Sequence, residues 1–228
     1  MLFIGLDDTD NLDSRGTGHL ARVIAADLAS DYALLGVTRH QLLVDPRIPY
    51  TKKNSSAAIL LDGEGDTDLR AIAEQARNRM LTEYVDGSDP GLCVAQHVPA
   101  EVVAFGQRAQ REVVTRQEAT VLAAGHGITL MGLGGDEGGV IGALAAVGLA
   151  ATGQDGRYVL VGLSRELSGL QPIDVLLASG ITAVQTLEGC AVTAGLVQSD
   201  KLRPARRSGR CILVVERAGE YWMPVKLD

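Results

Sequence analysis

Short apolar runs separated by polar turns predict a chain in which strands and helices alternate. Residues 2–6 form an apolar run that ends in acidic side chains, which is typical of a buried parallel strand. Leu20, Val23, Ile24 and Leu28 recur at helical spacing and predict a helix over residues 19–29. The same pattern predicts further strands at residues 32–44, 57–61, 92–94, 158–163, 181–187, 211–216 and 221–225. Further helices are predicted from Asp66 or Thr67 to about residue 81, from Pro99, from Thr115 to about residue 124, and over residues 140–151 and 172–178.

This alternation is typical of the α/β class. The last two strands predict a β-hairpin that turns at Ala218 and Gly219. Glycine and alanine dominate the helix predicted over residues 140–151, so we expect it to pack closely against the sheet or another helix. Residues 199–209 are polar and basic, and they are the segment that we expect to be mobile or to mark a boundary.

Composition and charge indicate which classes of protein and which partners to expect. The chain has 228 residues, 46% of them hydrophobic and 21% charged, which is typical of a globular protein. Its 21 basic and 28 acidic residues give a net charge of −7, which makes bulk nucleic acid an unexpected partner. The N-terminus lacks the pattern of a secretory signal, and no apolar run reaches the roughly 18 residues of a membrane helix. Three separated cysteines without a Cys-x-x-Cys pair indicate a reducing compartment, so we expect a cytoplasmic protein without structural zinc.

Three carboxylates, Asp7, Asp8 and Asp10, follow the first predicted strand. At an effective dielectric constant near 20, two carboxylates about 4 Å apart repel by about 4 kcal/mol, which a cation or a shared proton would relieve. Mg²⁺ commonly binds one or two carboxylates together with substrate phosphates, so these aspartates predict a magnesium and phosphate site. The alternative is a solvated acidic loop. A haloacid dehalogenase-type phosphatase is a weaker rival, because its Asp-x-Asp-x-Thr turn needs threonine where this chain has Leu12.

Two glycine-rich turns each precede a predicted helix. Gly16, Thr17 and Gly18 come before the first helix, and the free N–H groups of such a turn can bind a phosphate. Gly138 and Gly139 end a second glycine-rich loop, which offers bare N–H groups in the same way. The alternatives are a plain helix cap for the first turn and a flexible entry to a packing helix for the second. Neither turn matches the P-loop or the Rossmann fingerprint.

A basic loop lies between two predicted strands. Its residues Arg47, Lys52, Lys53 and Asn54 suit a phosphate charge and a ribose or base edge, and two prolines stiffen it. In a phosphoryl-transfer enzyme, Lys52 and Lys53 would neutralise the developing charge. The alternative is a solvated basic surface.

Four stretches carry a resemblance to a known family. They are residues 4–10, 48–54, 89–91 and 139–148, which read IGLDDTD, IPYTKKN, DPG and GVIGALAAVG. In this order they resemble the N-terminal half of archaeal isoleucine-tRNA 2-agmatinylcytidine synthetase, which modifies the wobble cytidine of that tRNA. The resemblance spans about residues 2–163. It implies a kinase-like ATP-binding domain with a ferredoxin-like domain, and it places ATP and Mg²⁺ at Asp7, Asp8 and Asp10.

Several positions depart from the family's pattern. The family's phosphorylated threonine corresponds to Thr17, with Gly16 in place of a cysteine and Gly18 in place of a second threonine. Gly138 stands where the family has a basic residue. The family's OB-fold and zinc ribbon have no counterpart in these 228 residues. We therefore expect a smaller acceptor than whole tRNA.

The residues and the resemblance together predict an ATP- and Mg²⁺-dependent enzyme that transfers a phosphoryl or adenylyl group to a small, anionic acceptor. The predicted catalytic residues are Asp8, Thr17, Lys52 and Lys53. The residues predicted to bind ATP are Gly16, Thr17, Gly18, Asn54, Gly138 and Gly139. A nucleotide-binding subunit or a tRNA-modifying enzyme, with a partner that supplies the missing domains, stays open as an alternative, and a Mg²⁺-dependent phosphatase is the weaker one.

The predicted domain organisation places the catalytic unit first. It covers residues 1–165, with the ferredoxin-like part within about 57–130, and a smaller α/β segment over residues 166–228 follows. The arginines of this segment, Arg203, Arg206, Arg207 and Arg210, are expected to help hold the acceptor. Self-association into a homodimer is the expected oligomeric form.

Overall fold

Helices and strands alternate along most of the chain, which confirms the α/β class. The computed structural model describes residues 1–11, 13–50, 53–63 and 67–227. The chain folds into two units, Met1–Thr152 and Gly153–Asp228. This division comes before the boundary that the sequence predicts after residue 165, and the roles of the two units as domains stay a prediction. None of the helices in the described part of the chain is both long and apolar enough to cross a membrane.

The first unit has five strands and five helices among its described residues. In chain order they are β1 (Leu2–Asp7), α1 (Thr17–Leu28), β2 (Leu34–Gln41), β3 (Ser55–Leu61), α2 (Leu69–Thr82), β4 (Gly91–Ala95), α3 (Ala100–Ala109), α4 (Arg116–Gly125), β5 (Thr129–Gly132) and α5 (Val140–Ala151). The strands form a sheet in the order β5-β4-β1-β3-β2, and each neighbouring pair is antiparallel. The prediction of a parallel strand at residues 2–6 is therefore wrong. β1 is buried in the middle of the sheet, and burial on both faces, rather than strand direction, explains its continuous apolar run.

Small residues let α5 pack directly on this sheet. A Cβ atom at Gly5 of β1 would lie 2.0 Å from the carbonyl oxygen of Ala143, and one at Gly91 of β4 would lie 2.1 Å from the backbone of Gly139. α5 also packs against α3. This packing confirms the close approach predicted for the glycine- and alanine-rich helix. It brings the start of α5 to the end of β1 and the start of β4.

The N-termini of three helices can be compared with the positions that local sequence signals predict. α1 begins at Thr17, two residues before the predicted start. α2 is capped by Asp68, whose carboxylate accepts hydrogen bonds from two backbone N–H groups of the first turn. The prediction of Thr67 as the cap is therefore wrong, and Asp66 lies outside the described residues. Thr115 caps α4 in a reciprocal capping box, as predicted.

The second unit has seven strands and one helix among its described residues. They are β6 (Arg157–Leu160), β7 (Leu170–Pro172), α6 (Ile173–Ala178), β8 (Ala183–Gln185), β9 (Leu196–Gln198), β10 (Ala205–Arg207), β11 (Arg210–Ala218) and β12 (Tyr221–Pro224). The strand order is β6-β10-β11-β12-β9-β7, with β8 parallel to β11. β11 and β12 pair antiparallel and confirm the predicted hairpin. β10 lies inside the segment predicted to be mobile or a boundary and pairs with β6 and β11, so that prediction is wrong for residues 205–207.

Candidate functional site

Asp7, Asp8 and Asp10 line one cavity of about 380 Å³ in the first unit. Asp7 is the last residue of β1, and Asp8 has a left-handed backbone with φ of 49°. This conformation is uncommon for a residue with a side chain, and it turns the chain sharply after the strand. The structure therefore brings together the three residues that the sequence predicts as metal ligands.

Asp7 is held against the first turn of α5. A Cβ atom at Gly142 would lie 1.7 Å from Asp7 Oδ2, so the site needs glycine there. Burial, and next the Asp8 carboxylate, raise the pKa of Asp7 to about 7. Burial, and next the carboxylates of Asp89 and Asp10, raise the pKa of Asp8 to about 6. A bound cation would favour the charged form of both groups.

Asp10 joins the acidic turn to the start of α1. Its Oδ1 accepts hydrogen bonds from the Thr17 hydroxyl at 3.1 Å and from the Thr17 N–H at 3.3 Å. Thr17 lines the cavity, while Gly16 is the N-cap of the helix and Gly18 lies in its first turn. A carboxylate therefore occupies the helix N-terminus at which the sequence predicts a phosphate.

Asp89 and Asp136 also line the cavity, and sequence reasoning missed both. Asp89 Oδ1 accepts a hydrogen bond from the Asp136 N–H at 2.8 Å. Asp89 lies just before β4 and Asp136 just after β5, and the pairing of Gly91 with Gly132 brings the two turns together. Asp89 lies between glycines in residues 87–91, and Asp136 lies between glycines in residues 134–139, which was the available signal. Only the strand pairing shows that the two segments meet.

Gly138 and Gly139 line the cavity, but their N–H groups already donate hydrogen bonds within the protein. The Gly138 N–H donates to Asp136 Oδ1 at 2.7 Å, and the Gly139 N–H donates to the Asp89 carbonyl oxygen at 3.0 Å. In this conformation neither N–H is open to a phosphate. A phosphate would reach the Gly138 N–H only after Asp136 turned away.

The predicted basic loop contributes Arg47, Lys53 and Asn54 to the same cavity. The side-chain amide of Asn54 donates to the Leu43 carbonyl oxygen at 2.7 Å, so Asn54 also holds the loop in shape. Lys52 lies outside the described residues. The structure thus brings two of the predicted cations to the predicted carboxylates.

Arg116, the first residue of α4, is a cavity residue that sequence reasoning missed. Its guanidinium donates to the carbonyl oxygen of Asp136 and lies 3.9 Å from the Glu137 carboxylate. The helical pattern of α4 gives no sign that its first residue reaches the glycine-rich loop. Arg116 therefore ties α4 to that loop.

The rest of the cavity wall is largely apolar. Its apolar and aromatic residues are Leu42, Ile48, Pro49, Tyr50, Ala109, Val113, Val114 and Ile141. Tyr50 is 44% exposed and can contact a ligand from the surface. Within the described ranges, no three His, Cys, Asp or Glu side chains form a ready metal site. The cavity suits a ligand that has both a charged part and an apolar part.

The arginines predicted to hold an acceptor lie in the second unit. Arg206 is 2% exposed within β10, which argues against its direct contact with an acceptor. Arg207 Nη1 donates to the carbonyl oxygens of Arg206 at 2.8 Å and Gln154 at 3.1 Å. Arg207 therefore helps to hold its own strand in place, and Arg206 lies buried within that strand.

Sequence comparison finds two partial relatives, while no family model matches the chain. The isoleucine-tRNA 2-agmatinylcytidine synthetase TiaS of Pyrococcus horikoshii is 29% identical over 154 residues, which cover 65% of this chain and 35% of that protein. The TiaS of Methanopyrus kandleri is 25% identical over 175 residues, which cover 72% of this chain and 37% of that protein.

Solved structures share the fold. A complex of TiaS with its isoleucine tRNA and ATP superposes with a TM-score of 0.57 at 24% identity, covering 64% of this chain and 36% of that one. A tRNA fluorescent labelling enzyme gives the same TM-score and identity, and the match covers 35% of its length. The chain is thus a relative of isoleucine-tRNA 2-agmatinylcytidine synthetase that spans about a third of the length of the curated relatives it matches.

Proposed function

We propose that this chain is an ATP- and Mg²⁺-dependent enzyme that transfers a phosphoryl or adenylyl group to a small acceptor. The observation that carries the proposal is the cavity of the first unit. Among the described residues, five aspartates, one glutamate, three basic side chains and an apolar wall surround one space there. A nucleotide has the matching parts, because its phosphates and their cation are charged and its base is planar and largely apolar.

Asp7 and Asp8 are the residues that we propose as Mg²⁺ ligands, and Asp10 completes the set. Mg²⁺ usually takes one or two carboxylates and fills its remaining positions with water and substrate phosphates, so three preformed protein ligands are not needed. Burial and repulsion between carboxylates raise the pKa of Asp7 to about 7 and the pKa of Asp8 to about 6. A bound cation would relieve the repulsion. When bound, the ion would neutralise phosphate charge.

The phosphates would lie between the aspartates and the basic loop. Lys53 would offset the charge that develops during transfer, together with Lys52 outside the described residues. Gly16, Gly18, Gly138 and Gly139 stay proposed phosphate contacts. Use of the Gly138 N–H requires Asp136 to release it, and use of the Gly139 N–H requires the Asp89 carbonyl oxygen to release it. In the first turn, the Thr17 N–H now donates to Asp10.

The apolar wall would hold the base. Tyr50, Pro49 and Val113 offer flat or apolar surface near solvent, and Asn54 stays a proposed contact for the ribose or base edge. A volume of about 380 Å³ falls within the roughly 300–1,000 Å³ of small-molecule sites. An inorganic phosphate would leave this wall unused, so the apolar surface supports a nucleotide.

Asp8 and Thr17 are the proposed groups for proton transfer. A carboxylate close to the substrate can act as a general base towards an attacking hydroxyl. The Thr17 hydroxyl donates to the Asp10 carboxylate, which prepares it to lose its proton. Both groups border the cavity, so either can act on a substrate that lies there.

The relatives support the use of ATP, and they also support a second candidate function. The matched solved structures include TiaS with its isoleucine tRNA and ATP, and TiaS with the same tRNA, AMPCPP and agmatine. The second candidate is therefore a tRNA-modifying enzyme or subunit that acts with a partner. The net charge of −7 favours a small acceptor over bulk tRNA.

Phosphorus NMR of the purified chain with ATP and Mg²⁺ tests the proposal. Water can occupy the acceptor position, so slow ATP consumption is expected even without the natural acceptor. ADP and phosphate would assign phosphoryl transfer, and AMP and pyrophosphate would assign adenylyl transfer. Asp8→Asn should abolish consumption, and Asp62→Asn, an exposed carboxylate outside the cavity lining, should leave it unchanged. ATP binding without any consumption would contradict the enzyme and support the binding subunit.

A further inference from the structure

The side chain of Arg47, which lines the cavity, is held in place by Asp45. Arg47 Nε and Nη2 each donate to one carboxylate oxygen of Asp45 at 2.8 Å. The backbone N–H of Arg47 donates to Asp45 Oδ1 at 2.9 Å, and the Ile48 N–H closes the turn on the Asp45 carbonyl oxygen at 3.0 Å. These contacts fix an arginine side chain that is 71% exposed.

The paired contact leaves part of the guanidinium for a ligand. A guanidinium carries five N–H donors, and Asp45 uses two of the five on Arg47. Of the residues that the structure describes, Arg47 lines the cavity and Asp45 does not. The two donors on Nη1 and the second donor on Nη2 are therefore the ones that can meet a ligand, and a planar guanidinium suits phosphate oxygens.

We propose that Asp45 is a positioning residue that holds Arg47 so that its outer N–H groups contact a phosphate of the bound nucleotide. The inference rests on the proposed function, because it needs a nucleotide in the cavity. An exposed arginine loses rotamer freedom when it binds a ligand, and Asp45 has already restricted that freedom. Pro46 lies between Asp45 and Arg47, and Pro49 follows two residues later, so both prolines limit the freedom of the loop itself.

Asp45 also offsets the positive charge of Arg47, and this charge effect on phosphate binding opposes the positioning effect. Hydrogen bonds from Arg47 lower the pKa of the Asp45 carboxyl to about 2, so Asp45 is charged in any assay near neutral pH. Removal of Asp45 would strengthen phosphate binding if charge dominated, and would weaken it if positioning dominated. Because three hydrogen bonds join Arg47 to the Asp45 carboxylate, we expect the positioning effect to dominate.

Isothermal titration calorimetry of the full chain with ATP and Mg²⁺ tests this inference. Arg47→Ala should weaken ATP binding by about tenfold, which is the loss of a contact worth about 1.4 kcal/mol. Asp45→Ala should weaken it by at least about threefold. The double variant should bind no more weakly than Arg47→Ala alone, because Asp45 acts only through Arg47. The exposed pair Arg70 and Glu74 on α2 provides matched controls, whose alanine variants should bind ATP as the unchanged protein does.

The outcomes separate this inference from the proposed function. Tighter or unchanged binding in Asp45→Ala would overturn the positioning role, as would additive losses in the double variant. Unchanged binding in Arg47→Ala would overturn the phosphate contact while leaving ATP binding intact. If the unchanged chain binds no ATP, the proposed function itself is wrong. Because the Arg47 side chain is 71% exposed, the melting temperature of Arg47→Ala should stay close to that of the unchanged chain.

Discussion

At the scale of single residues, the carboxyl groups of Asp7 and Asp8 make the free protein sensitive to pH. Their pKa values are raised to about 7 and about 6, mainly by burial. In the unfolded chain, aspartate titrates near pH 4. Between about pH 4 and pH 7 the folded state therefore binds more protons than the unfolded state. The free energy of unfolding of the ligand-free protein should fall as pH rises through this range.

Asp7→Asn should remove much of this pH dependence, because asparagine is neutral like the protonated carboxyl. A shift of about three pKa units, at about 1.4 kcal/mol each, predicts that the substitution raises the free energy of unfolding by up to about 4 kcal/mol at pH 8 and changes it little at pH 4. Urea unfolding at both pH values measures the effect. Asp62→Asn is the control at an exposed position and should show no such difference. A gain of equal size at both pH values would contradict the raised pKa of Asp7.

The Asp136 carboxylate controls whether the Gly138 N–H can reach a phosphate. Asp136→Ala removes the acceptor, whereas Asp136→Asn removes the charge and keeps an oxygen that can accept. Without Mg²⁺, pyrophosphate should therefore bind about tenfold more tightly to the alanine variant than to the asparagine variant, since it gains one charged hydrogen bond. Equal affinities in calorimetry would show that the Gly138 N–H does not contact phosphate.

At the scale of elements, the packing of α5 on β1 fixes the position of the acidic turn. Gly142→Ala would place a Cβ atom 1.7 Å from Asp7 Oδ2, so the helix or the aspartate must move. We expect a loss of about 1–3 kcal/mol of stability and the loss of ATP binding. The control is Gly125→Ala in α4, where a Cβ would meet nothing within 4 Å among the described residues. Thermal unfolding and ATP titration of both variants measure the difference, and similar behaviour would contradict this account of α5.

The elements that carry a clear signal in their own residues were predicted correctly. α5 spans the predicted residues 140–151, and Thr115 caps α4 as predicted, because small-residue content and capping are local signals. The direction of β1 was missed because a strand buried on both faces reads as a continuous apolar run in either direction. The strands β5, β7, β9 and β10 were missed because three or four residues carry little periodicity. The reach of local signals also explains which site residues were predicted and which were missed. Asp7, Asp8 and Asp10 are close in sequence, whereas Asp89 and Asp136 meet only through the pairing of β4 with β5.

At the scale of the whole molecule, the charge of −7 bears on the choice between the two candidate acceptors. We expect no tight binding of bulk tRNA at physiological salt, although ATP binding should be intact in the same buffer. Filter binding at about 50 and about 200 mM salt measures this, because phosphate contacts make affinity fall steeply with salt. Submicromolar, salt-sensitive binding by the isolated chain would contradict a small acceptor and support the tRNA-modifying function.

The proposed function depends on a cation that ATP shares with Asp7, at the end of β1, and with Asp8 and Asp10, just after it. Calorimetric titration of ATP with Mg²⁺ and with EDTA, in the unchanged chain and in Asp8→Asn, tests it most directly. We predict at least about tenfold tighter binding with Mg²⁺ in the unchanged chain, equivalent to about 1.4 kcal/mol. We also predict that Asp8→Asn loses this gain and that Asp62→Asn keeps it. Equal ATP affinity with Mg²⁺ and with EDTA in the unchanged chain, or a full Mg²⁺ gain in Asp8→Asn, would contradict the shared cation.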